Sequence, residues 1–132
     1  MKISFEDFKD QIRATESRRG NRTMDYCDWH LGDQRVFHER VYWTRSRPNK
    51  KSLNPTPAEQ YSSLMNEPRF QYWSETIYSD LNLAKKDAKK FGGVVQQGFY
   101  CEEPDLYWFL IFDDLDRAIM HAYDTLIREI QT

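Results

Sequence analysis

The sequence predicts an α+β domain: a mostly antiparallel sheet of about five strands with helices packed on one face, in the order α-β-β-α-β-α-β-β-α. Two observations predict it. Runs rich in Tyr, Trp, Phe and Val come in pairs, separated by turn residues at Gly32-Asp33-Gln34 and at Glu102-Glu103-Pro104-Asp105, which is the texture of antiparallel hairpins. Around these runs apolar residues recur at helical spacing. The 132 residues suffice for one core but not two, so a single domain over 1–132 is expected.

Each element has its own signal. Ser4 precedes Phe5, Phe8 and Ile12, which share a helical face, and Arg18-Arg19-Gly20 places cations and a glycine at the far end; a helix over 4–19 is expected. Residues 24–44 read as a hairpin. In its second run Phe37, Glu39, Val41 and Trp43 share the parity expected to be buried, and Val36, His38, Arg40 and Tyr42 the parity expected to be wet. Residues 44–57 hold three prolines and no apolar period, which predicts a mobile loop. Thr56-Pro57-Ala58-Glu59 is a capping box that opens a short helix to about Asn66. Phe70 to Tyr78 reads as a strand. Asp80 opens a helix with Leu81, Ala84, Ala88 and Phe91 on one face, Lys85, Lys86, Lys89 and Lys90 off it, and Gly92-Gly93 after it. Strands follow from Val94 to Tyr100 and from Leu106 to Phe112. The second is almost wholly apolar, which predicts a central strand buried on both faces. Asp113 is expected to cap the last helix, whose stripe is Leu115, Ile119, Ala122, Tyr123, Leu126, Ile127 and Ile130.

Aromatic residues make up 15% of the chain. That argues for a folded domain built on large rings, although the mean hydropathy is -0.85. No run of about 18 apolar residues occurs, and Met1 to Asp7 turns acidic without the apolar stretch of an export signal. Cys27 and Cys101 are too few for a disulfide framework and read as reduced thiols. The expectation is a cytoplasmic protein that does not use a membrane. The net charge of -2 gives no global drive toward nucleic acid, but residues 1–51 carry +4 and residues 52–132 carry -6, so a polarised surface is one way the chain can fold.

Three function classes compete. The first is a protein-binding module, an inhibitor or adaptor, of the kind found among phage and mobile-element accessory proteins and so a viral protein. A domain of this size is not expected to bury all of its 4 Trp and 8 Tyr, and exposed Trp, Tyr and Arg anchor interfaces. The candidate anchors are Trp29, Tyr42, Trp43, Tyr72 and Trp73, with Arg45 and Arg47 on the adjoining loop. The second class binds nucleic acid through Arg35, Arg40, Arg45, Arg47, Lys50 and Lys51, cations interleaved with rings that can stack on bases. The third is a small hydrolase or nuclease. It would use His30 or His38 as general base, with Asp28 or Glu39 beside them and Arg40 to steady an anion, and the two His approaching each other across the hairpin if the register allows.

Metal and cofactor chemistry finds little support. Cys27-x-x-His30 puts its two side chains on opposite faces of a strand. The carboxylates Glu102, Glu103, Asp105, Asp113, Asp114 and Asp116 lack the calcium-loop spacing and suit caps or the steering of a basic partner. Phosphate-loop, dinucleotide and nucleophile-elbow glycine motifs are absent from the sequence, so no metal and no cofactor is expected. A homodimer is a further expectation, through the hairpin edge or through strand 106–112 should it lie at an edge.

Overall fold

The computed structural model describes residues 3–44, 57, 67–99 and 106–127. Its elements are α1 (Phe5–Gln11), β1 (Arg13–Ala14), β2 (Arg18–Asn21), β3 (Met24–Leu31), β4 (Gln34–Trp43), β5 (Pro68–Ser74), α2 (Leu81–Phe91), β6 (Val94–Phe99), β7 (Leu106–Phe112) and α3 (Leu115–Ala122), which runs on into a wider π-helical turn, Tyr123–Ile127. The seven strands form one sheet in the order β1-β3-β4-β5-β7-β6, with β2 also on β3. Every pairing between these strands is antiparallel. The α+β class with an antiparallel sheet is as the sequence predicts, with seven strands rather than about five. Apart from Pro57, the expected capping box and helix at 56–66 lie outside the described residues, as does most of the loop 44–57.

The two additional strands come from the segment expected to be helical as far as position 19. Helix α1 stops at Gln11, and Ile12 is already extended, its N–H still closing on the Phe8 carbonyl. Ser4 does cap it, accepting from the Asp7 N–H. Beyond Ile12 the sequence offers no apolar residue to extend the stripe except Ala14 until Met24. With nothing to hold a helix against the core, the backbone pairs along β3 instead, Arg13 opposite His30 and Arg18 opposite Tyr26.

One face of the sheet is covered. Phe37, Tyr72, Leu110 and Phe112 face Ala84 and Ala88 of α2 and Ala118, Ile119 and Ala122 of α3 in a single core. Alanines on both helices let them approach the strands closely. Phe8 and Ile12 close the core at the β3–β4 end with Val36 and Leu31; Phe5 meets Tyr123 edge to face at 5.4 Å, and Phe8 lies tilted against the same ring at 5.5 Å. Val36, expected to be wet, is fully buried beside Phe37. The β3–β4 register shifts there, Trp29 pairing Phe37 and His30 pairing Arg35, so Val36 is the extra residue of a bulge that turns consecutive side chains inward.

Strand β7 lies between β5 and β6 but is not buried on both faces. Leu110 and Phe112 are buried, whereas Tyr107, Phe109 and Ile111 are half-buried and Leu106 is exposed. Its apolar run serves two different surfaces. The last helix is capped by Asp114, which accepts from the Asp116 N–H, rather than by Asp113. Asp80 caps α2 as expected, and Gly92 ends it in the left-handed region at φ 79°. No helix among the described residues is long and apolar enough to cross a membrane.

Candidate functional site on the open sheet face

No described helix packs on the opposite face of the sheet, and the register defines what it displays. Asp28 pairs His38, His38 pairs Trp73, Trp73 pairs Ile111, and Ile111 pairs Val94. Directly paired residues share a face. These five side chains therefore form one row across β3, β4, β5, β7 and β6. The alternate residues of the core strands, Tyr72 and Phe112, point the other way.

The middle of this face is aromatic. Trp73 packs on Phe109 with ring centroids 5.1 Å apart, and Phe109 reaches Tyr107 at 6.3 Å. The Arg40 guanidinium lies 3.9 Å over the Trp73 ring, and it also donates to the Met24 sulfur at 3.4 Å. Trp73 is held in place by its indole N–H, which donates to the Gln71 side chain at 3.0 Å. The side chains along this stripe are only half-buried, so a ring-and-guanidinium surface faces outward. At its β6 end Tyr107 lies across Gly98, where a Cβ would meet the ring at 2.5 Å. The missing side chain is what lets the phenol cover the strand.

At the β3–β4 end the face is ionic. His38 Nδ1 is 2.8 Å from Asp28 Oδ1, and its Nε2 is 2.9 Å from Glu75 Oε2. Arg35 donates to both oxygens of Glu75, at 2.9 and 3.3 Å, and its charge stands 3.9 Å from Asp28. The Glu75 hydrogen bond, followed by the neighbouring carboxylate charges, raises the Arg35 pKa above its ordinary value despite partial burial. Strand β5 makes this cluster by ending early. Its ladder with β7 stops after Trp73; Ser74 Oγ then accepts from the Leu110 N–H and donates to the Thr76 carbonyl, and pairing resumes only at the Tyr78–Trp108 bridge. The detour carries Glu75 over to His38 and Arg35.

The candidate residues separate by face. Trp73 and Tyr42 are half-buried on the open side, Tyr42 opposite Arg69. Tyr72 is buried in the core, and Trp29 stacks on Phe37 at 5.5 Å against that core. Tyr72 is therefore not an exposed anchor: the same parity that shows Trp73 hides its neighbour. Trp43 shares the parity of Phe37 and donates its indole N–H to Asp25 at 3.1 Å. Arg45, Arg47, Lys50 and Lys51 lie outside the described residues. Of the cationic candidates, Arg35 is tied to carboxylates and Arg40 rests on Trp73.

The two histidines do not meet as a pair. His30 sits opposite Arg35 and Arg13, and His38 opposite Asp28. Asp28 and His38 do come together, but both ring nitrogens of His38 are within hydrogen-bond distance of carboxylate oxygens, so neither is left turned toward a substrate proton. Glu39 is on the core side with Cys27, whose thiol donates to it at 3.2 Å, and with the Trp29 indole at 3.3 Å. Burial, then this hydrogen bond, pushes the Cys27 thiol up to about 12, and burial does the same to Tyr72, so neither is a poised nucleophile. Cys101 lies outside the described residues. Among the described residues, no group of three or more His, Cys, Asp or Glu side chains is arranged to hold a metal ion. Lys85, Lys86, Lys89 and Lys90 are solvent-facing on α2, and Asp114 acts as a cap.

Sequence reasoning missed Phe109, Tyr107, Ile111, Val94 and Glu75. The signal for the first three was alternation inside 106–112, which an unbroken apolar run conceals. Glu75 had no local signal, because its partners are about 40 positions away in sequence. No family model, curated protein or solved structure matches the chain.

Proposed function

We propose that the protein is a small protein-binding module, an inhibitor or adaptor, that engages a protein partner through the open face of its sheet. The observation that carries this reading is the half-buried stripe of Tyr107, Phe109 and Trp73 with Arg40 laid on it, over which no described helix packs. Aromatic rings and arginine are the side chains from which interface hot spots are built. A pinned Trp73 gives up little conformational entropy on binding.

Charge on this face favours a protein over nucleic acid. Asp28 and Glu75 stand in the same row or beside it, and Arg35 is already committed to them. A phosphate chain crossing the stripe would meet those carboxylates. Hydrolase chemistry is disfavoured by the occupied His38 ring.

The test uses the intact chain as bait in native lysate, with wild type compared against Trp73→Ala and Phe109→Ala. The expected result is one stoichiometric protein that survives nuclease and is lost with either variant, while the melting temperature stays within a few degrees. A fluorescent single-stranded oligonucleotide is titrated in parallel. Tight binding that collapses between about 50 and 200 mM salt, and is abolished by Arg40→Ala, would overturn the reading in favour of nucleic acid.

A further inference from the structure

We propose that β6 is a self-pairing edge, and that two copies of the chain join antiparallel along Val94–Phe99 about a two-fold axis at Gln96. Among the described residues β6 pairs only with β7 and ends the strand order. Its six residues, Val-Val-Gln-Gln-Gly-Phe, carry no charge and no proline, and its β7 register runs without a bulge. Charge, proline and bulges are the usual means of blocking an exposed edge. A neutral strand also brings no like charges together when it meets its own copy.

Symmetry narrows the register. An antiparallel pair that continues a sheet has its two-fold axis perpendicular to that sheet, so each face remains on its own side and facing residues have the same parity. The axis therefore passes through one residue, Gln96 or Gln97. The exposed side chains choose between them. Val94 is 67% exposed, the most of any large apolar side chain among the described residues. It lies on the open face with Gly98, across which the Tyr107 ring rests. An axis at Gln96 sets Val94 of each copy opposite Gly98 of the other, so that each Tyr107 ring covers the other copy's Val94. An axis at Gln97 leaves Val94 beyond the pairing. The Gln96 arrangement buries the exposed apolar group twice and puts both aromatic stripes on one side of a continuous sheet. It holds whatever the open face binds.

A six-residue edge is a small interface, so self-association is expected to depend on concentration. Sedimentation of the full chain over a dilution series should show a monomer–dimer equilibrium. Gln96→Lys sets two like charges face to face at the axis and should weaken the dimer by more than about tenfold, with an unchanged circular dichroism melt. In a Cys101→Ser background, Gln96→Cys should form an intermolecular disulfide under mild oxidation, since facing Cβ atoms sit about 5 Å apart. Gln97→Cys should not. A wild-type chain that stays monomeric throughout, or a crosslink formed by Gln97→Cys instead of Gln96→Cys, would overturn the proposal.

Discussion

His121 is buried to 1% exposure among the rings of Phe91, Phe112 and Tyr78. Its Nε2 lies 2.8 Å from the Tyr78 hydroxyl, which itself donates to Asp87 at 2.7 Å. The hydroxyl proton is therefore used on Asp87, and the imidazole donates to the hydroxyl oxygen. Burial drives the His121 pKa from 6.5 down to about 4, against a smaller opposing pull from Asp87 and Asp124. The unfolded chain binds this proton below pH 6.5 and the folded chain only below about 4. Stability is therefore complete above 6.5 and falls as pH drops through that window. The loss is about 3 kcal/mol, at about 1.4 kcal/mol per pKa unit. Urea unfolding at pH 7 and pH 4 should show it, and His121→Gln should remove that part of the difference. At Cys27 the outcome is chemical: the native thiol should resist iodoacetamide at pH 7 and react once the chain is unfolded, as mass spectrometry would show.

At the scale of elements, helix ends and strand ends position the rest. Gly92 holds φ 79° at the end of α2, and a Cβ there would meet the Arg117 guanidinium at 2.7 Å. Gly92→Ala should cost about 1–2 kcal/mol, chiefly for the left-handed backbone. Asp80→Ala should cost about 1 kcal/mol, through loss of the cap on the Asn82 N–H. Thermal melts read both. The early end of β5 matters more for the surface than for stability. Glu75, His38 and Asp28 keep roughly 30% of their side-chain surface exposed, so Glu75→Gln should change stability by less than about 1 kcal/mol. It would loosen Arg35 over the open face.

For the whole molecule, one sheet separates two environments. Helices α2 and α3 seal the first, and removing a ring from it, as in Phe112→Ala, should cost about 3–5 kcal/mol. The second, over which no described helix packs, has Trp73 at its centre, where truncation should affect partner capture far more than melting temperature. If Trp73→Ala instead melts as Phe112→Ala does, the face is structural and the binding reading fails.

The order of the hairpins, the helix caps at Ser4 and Asp80, and the α+β class are local matters, and the sequence by itself determined them. Each rests on neighbours within a turn of chain: a capping side chain, a stripe at 3.6 spacing, or a turn between two aromatic runs. The tertiary structure alone decided the rest. It ended α1 at Gln11 by offering β3 as a partner, turned Val36 inward through a bulge, and placed β6 rather than β7 at the edge. It also sorted Trp73 from Tyr72 and brought Glu75 to His38. Those outcomes turn on register and strand order, which belong to pairs of segments far apart in the chain. A shift of one residue exchanges the buried and open faces, and nothing in a single strand's own composition records which neighbour it will meet.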